Sequence, residues 1–189
     1  DGIWSVNGTV ELGQASFSTA GWINQPMPSP STPNNLLAPL WSDMNLCDAG
    51  TPGGGNWYLA TLSLGPQSWD VFEWEAVPEW PGAGNGENSY QIWLERGTSN
   101  ITFTYGATSA FFATIGAENV DGSVGDMTYF NGSGTPAAPG DELGVIGLPG
   151  GTATLGFQVE ADCSADVVNR ANLSGSAGDE TAIAATACE

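Results

Sequence analysis

The chain has 189 residues, enough for one domain with a real hydrophobic core or for one domain with a small appended module. It carries 21 acidic residues against two arginines, no lysine and no histidine, for a formal charge of -19. That balance repels nucleic acid and anionic membrane surfaces, which need clustered cations, draws in cations including calcium, and leaves a Ser or Cys nucleophile without its usual base.

No segment approaches the roughly 20 apolar residues that span a bilayer, and none has the positively charged start of a signal peptide. Three cysteines (Cys47, Cys163 and Cys188) without C-x-x-C spacing and without histidine exclude a conventional structural zinc. One disulfide and one leftover thiol fit an exported protein better than a cytosolic one.

In chain order, Asn24 to Asn35 ("NQPMPSPSTPNN") is proline-rich and is expected to be an extended, solvent-facing loop. Leu36 to Trp41 reads as a buried strand, and Asp43-x-Asn45-x-x-Asp48 as the turn that leaves it. Short Asx side chains bonding the backbone two residues on would explain Asp43 and Asn45. The sharper alternative is a calcium site, since that ion takes six to eight oxygens from carboxylates and loop carbonyls.

"WDVFEWEAV" alternates, with Phe72, Trp74 and Ala76 toward a core and Val71, Glu73 and Glu75 away from it. Glu79 to Ser89 is a glycine-rich loop carrying Trp80 beside acids. "SYQIWLERGTSNITFTYG" is a hairpin with Tyr90, Ile92, Leu94, Ile101, Phe103 and Tyr105 inward and a turn at Arg96–Asn100. "ATIGAENVDG" is a strand running into an Asp-Gly turn, answered by "MTYF", and Glu118, Asp121 and Asp126 there form a second candidate calcium loop. Regularly spaced short strands with turn chemistry between them predict an all-β, antiparallel β-sandwich, jelly-roll-like, with little or no helix.

Composition shifts at Gly132 to Glu142, where tryptophan disappears and Ala, Thr and Val take over. The expected division is therefore a β-sandwich module over residues 1–131 and a β-strand tail over residues 132–189 packed upon it. Three successive antiparallel strands at Thr152–Ala161, Asp166–Ser174 and Thr181–Ala187 would bring Cys163 and Cys188 to one end as the disulfide, leaving Cys47 free.

"NGTVELG", "NQPMPSPSTPNNLLAPLWSDMN", "VFEWEAVP", "SYQIWLERGTSNITFTYG" and "ATIGAENVDGSVG" follow one another in the order of a bacterial extracellular module similar to the nidogen-like domain, over about Val6 to Tyr129. Such modules often lie beside the catalytic domain of secreted subtilisin-like proteases. The tail "GLPGGTATLGFQVEADCSADVVNRANLSG" resembles the closing half of the β-sandwich repeats of bacterial surface proteins. The resemblance implies a non-catalytic accessory module of a secreted, extracellular protein and brings no catalytic residues. The match usually begins a strand or two upstream of the Asn-Gly turn, so a chain starting at Asp1 reads as a processed or excised piece of a longer precursor.

Trp74 has the surroundings of a core residue, whereas Trp22 and Trp80 sit in loops and are the candidates for a ligand-binding surface. The partner expected for them is an extracellular polymer, polysaccharide or fibrous protein, or a neighbouring domain of the precursor. No cofactor is required, although calcium at the loops above is compatible. Two alternatives stand beside this reading. One is a structural spacer or filament subunit. The other is a carbohydrate-active enzyme using Glu73 and Glu75, whose i, i+2 spacing on one strand face sets two carboxylates near each other.

Overall fold

The computed structural model describes residues 5–12, 21–46, 54–81 and 86–146 in full, and the backbone of residues 2–4, 147–148, 152–158, 167–173 and 180–186. Among the described residues there is no helix. The strands are β1 (Gly2–Ser5), β2 (Thr9–Leu12), β3 (Leu36–Trp41), β4 (Asn56–Leu64), β5 (Gln67–Val77), β6 (Asn88–Glu95), β7 (Ile101–Tyr105), β8 (Thr114–Glu118), β9 (Gly125–Phe130), β10 (Ser133–Gly134), β11 (Glu142–Leu148), β12 (Thr152–Gln158), β13 (Val167–Leu173) and β14 (Glu180–Thr186).

Among the described residues two six-stranded antiparallel sheets form, ordered β1-β2-β3-β8-β9-β10 (sheet one) and β12-β11-β7-β6-β5-β4 (sheet two), with β13 and β14 as a separate hairpin. The expected antiparallel β-sandwich is the fold. It is jelly-roll-like in that the chain crosses between the sheets, while within each sheet consecutive strands mostly pair as meanders. The long-range pairs β3–β8 and β7–β11 close each sheet across those crossings.

The core explains the alternation. Val10, Leu37, Leu40, Ile115, Ala117 and Tyr129 of sheet one meet Trp74, Tyr90, Ile92, Phe103, Tyr105 and Leu143 of sheet two. Trp74 stacks on Tyr90 with ring centroids 4.9 Å apart, a contact worth roughly 0.5–1.5 kcal/mol beyond its burial. One strand face departs from the expected alternation. A register shift between Trp74 and Val77, with Ala76 at φ 52°, turns Val77 rather than Ala76 into the core.

The proline-rich segment is not solvent-facing along its length. It straps the outer face of sheet one, burying Met27 against Leu36, Ala38 and Trp41, with Met127 packed alongside. Thr114 donates its hydroxyl to the carbonyl of Gln25 (2.8 Å), and the Ser29 N–H donates to Glu118 Oε2 (2.8 Å). β3 is therefore covered on both faces, which is why its six residues are all buried and show no alternation. Pro39 is accommodated inside this central strand because the register shifts between Ala38 and Trp41.

The expected division after Asn131 falls inside a tight hairpin turn. Asn131 and Gly132 (φ 47° and 86°) link Phe130 to its partner Ser133, the Asn-Gly pairing that a two-residue loop of right-handed twist prefers. β11 then pairs with β7, and Leu143 and Val145 enter the main core. Strands do form near the three expected tail positions, but β12 pairs with β11 in sheet two, and β13 pairs with β14. Cys47, Cys163 and Cys188 lie outside the described residues, and so does the expected disulfide.

Candidate functional site

At one end of the sandwich four segments converge. β3 ends at Trp41, opposite Thr114 at the start of β8, and β5 ends at Val77. The chain leaving β3 and the chain leaving β5 meet in an isolated bridge between Met44 and Glu79. Around it the Trp80 N–H donates to the Asp43 carbonyl (2.8 Å) and the Asn45 N–H to the Pro78 carbonyl (2.9 Å). The Asn45 side chain donates to the Pro81 carbonyl at 3.1 Å. The local Asx cap expected for Asn45 is thus replaced by bonds across to the loop after β5, which a short buried amide can reach only because tertiary pairing brings that loop close.

Two further contacts complete the site. The Trp41 indole donates to the Gly21 carbonyl (3.0 Å), anchoring the chain immediately before Trp22. Ser42 Oγ lies 2.9 Å from the Phe112 carbonyl and 3.1 Å from Glu79 Oε1. Asn88, fully buried, accepts the backbone N–H groups of Ser109 and Ala110 and so fixes the approach to Phe111 and Phe112.

The result is a cleft of about 290 Å³ lined by Trp22, Ile23, Asn24, Ser42, Asp43, Glu79, Trp80 and Phe112. Trp22, Trp80 and Phe112 are 58%, 59% and 67% exposed, unusually open for such large apolar side chains. Phe112 meets Phe111 edge to face at 5.1 Å, extending the aromatic rim toward a second depression walled by Phe111, Tyr129 and Pro136. Burial raises the Asp43 carboxyl above its ordinary pKa. The Glu79 carboxyl is raised by burial and by the charge of Asp43, against the Ser42 hydrogen bond that pulls it down. Arg96 stands at the opposite end of sheet two, bonded to Asp70 at 2.7 Å.

The structure therefore brings together Trp22, Trp80 and Asp43, and adds Glu79 and Phe112, which the sequence did not single out. The visible signal was an acid directly beside a tryptophan at Glu79-Trp80, but its pairing with the Asp43 loop depends on the fold. Asp48 lies outside the described residues. Glu118, Asp121 and Asp126 are each tied to backbone: Glu118 to the Ser29 N–H, Asp121 to the Ser123 N–H (3.0 Å) and Asp126 to the Met127 N–H (2.9 Å). Among the described residues no three His, Cys, Asp or Glu side chains gather as a metal site.

Glu73 and Glu75 stand on the outer face of sheet two, away from the cleft. Glu73 accepts from Gln91 (2.8 Å), and Glu75 accepts from Asn56 (3.1 Å) and Tyr58 (3.3 Å).

A family model described as NIDO related matches residues 3–142. No curated protein and no solved structure matches the chain.

Proposed function

The chain belongs to the NIDO-related (nidogen-related) family, and from that premise we propose that it is a non-catalytic binding module of an exported bacterial protein, a subtilisin-like protease precursor or a surface protein. It holds an extracellular polymer, polysaccharide or fibrous protein, in the cleft between Trp22 and Trp80. Domains of this family are typically extracellular and non-catalytic.

The observation that carries the reading is the convergence of two exposed tryptophans from separate loops on one concave site. An indole offers a large contact area while freezing only two torsions, so such a site binds extended chains at low entropic cost. The carbohydrate-cleaving alternative draws no support from Glu73 and Glu75, which lie outside the cleft.

Retention on insoluble polymers (cellulose, chitin and collagen fibres) tests the proposal. Trp22→Ala and Trp80→Ala should each weaken retention about tenfold, with the circular dichroism of the parent preserved. Variants retained like the parent, or a parent retained by none of these materials, would sink it.

A second reading is favoured by β4. This nine-residue edge strand carries no Lys, Pro or register shift, and it exposes Tyr58, Leu59, Leu62 and Leu64. An edge so unguarded invites another strand, as a spacer or filament subunit would require. Light scattering and electron microscopy at high concentration, with Leu59→Lys as the blocking variant, test assembly.

A further inference from the structure

The cleft is chemically one-sided. Among the described residues, its charged groups are the carboxylates of Asp43 and Glu79, and its walls are Trp22, Ile23, Trp80 and Phe112. Elsewhere on the described surface, several acids have donors close at hand. Asp70 has Arg96, Glu95 has Asn100, and Glu75 has Asn56 and Tyr58. Among the described residues, no group donates to the Asp43 carboxylate, and Glu79 has a single hydroxyl. Two acids thus face a concave aromatic site in which no described cation stands.

Resting on the reading that this cleft is the binding site, we propose that its ligand is the guanidinium of an arginine on an extended protein partner. A neutral sugar laid between the indoles would desolvate both carboxylates without compensating their charge. A guanidinium compensates it with paired N–H donors, and its weakly hydrated plane stacks on indole and phenyl faces. An ammonium group offers the same charge but is more strongly hydrated and has no plane to stack. The raised proton affinities of both carboxyls point the same way, since they mark charge that burial disfavours and a bound cation would stabilise.

The test uses the full chain and the indole N–H resonances of Trp22 and Trp80. The probes are an acetylated Gly-Arg-Gly amide, the same peptide with citrulline (equal in shape but uncharged), and the neutral sugar cellohexaose. The arginine peptide should move both indole resonances with a dissociation constant on the order of millimolar, and the citrulline peptide should leave them in place. Asp43→Asn with Glu79→Gln should weaken arginine binding at least about tenfold. Glu73→Gln with Glu75→Gln, which removes the same charge from the outer face of sheet two, should leave it unchanged.

Equal binding of citrulline and arginine, or equal losses from the two double variants, overturns the arginine assignment. If cellohexaose moves both resonances and the arginine peptide does not, the binding module stands and the arginine inference falls. If no probe moves them, and the polymers above do not retain the parent, both fall.

Discussion

The backbone N–H of Trp80 donates to the carbonyl of Asp43 at 2.8 Å, so one hydrogen bond sets an exposed indole beside a carboxylate from a different loop. The bond is supported by Asn45, which is buried and donates its side-chain amide to the Pro81 carbonyl. Asn45→Ala leaves that carbonyl without this donor and should cost about 1–3 kcal/mol of stability by urea unfolding. Because Asn45 lies beneath the cleft rather than in its lining, polymer retention should also fall while the protein remains folded. Unchanged retention in a destabilised Asn45→Ala protein would separate the bridge from the binding surface.

Much of the fold was legible where one face of a strand is core and the other is not. β6 and β7 read correctly from Tyr90, Ile92, Phe103 and Tyr105 because each alternates with a polar neighbour. β4 carried no such signal: Tyr58, Leu59, Leu62 and Leu64 put apolar residues on both faces of an exposed edge. The burial of Met27 was hidden for a different reason, since its partners Trp41 and Met127 come from remote strands and the surrounding prolines read as loop. For the site, Trp22 and Trp80 stood out as loop tryptophans, but their convergence rests on the Met44–Glu79 bridge, which no local pattern records.

The strap over sheet one makes Gly122 and Gly65 behave differently under the same substitution. Both have positive φ (63° and 60°), but a Cβ at Gly122 would collide with the carbonyl oxygen of Ser29, whereas a Cβ at Gly65 meets nothing within 4 Å. Gly65→Ala should therefore cost only the conformational penalty, about 1 kcal/mol. Gly122→Ala should cost clearly more, about 2–4 kcal/mol, by displacing the strap. Equal melting temperatures for the two variants would contradict the packing described here.

Acidification should stabilise the chain before it harms it. Burial raises the pKa of Glu11, Asp43, Glu79 and Glu118. An acid whose folded pKa is raised contributes stability that is fully present below its unfolded pKa and is lost as pH rises through the folded value. Asp70, Glu95 and Asp121 shift down and act oppositely, but they are solvent-screened. The melting temperature should rise as pH falls through the raised folded values toward the ordinary 4.5 of a glutamate and 3.8 of an aspartate, with Glu118→Gln flattening the slope. A steady fall over that range would refute the account of buried acids.

With a formal charge of -19, sodium chloride should raise the melting temperature by screening self-repulsion. Calcium at equal ionic strength should add little, since Glu118, Asp121 and Asp126 each accept a backbone N–H and do not gather. A large, chelator-reversible shift would instead make ligands of them, or of Asp43, Asn45 and Asp48, because specific binding stabilises by mass action.

The cleft and the β4 edge make different footprints, and hydroxyl-radical footprinting of the chain on a polymer that retains it decides between them most directly. Binding in the cleft predicts protection at Trp22, Trp80 and Phe112, with Tyr58, Leu62 and Leu64 as reactive as in free protein. Protection along β4 with the cleft aromatics still reactive would contradict it.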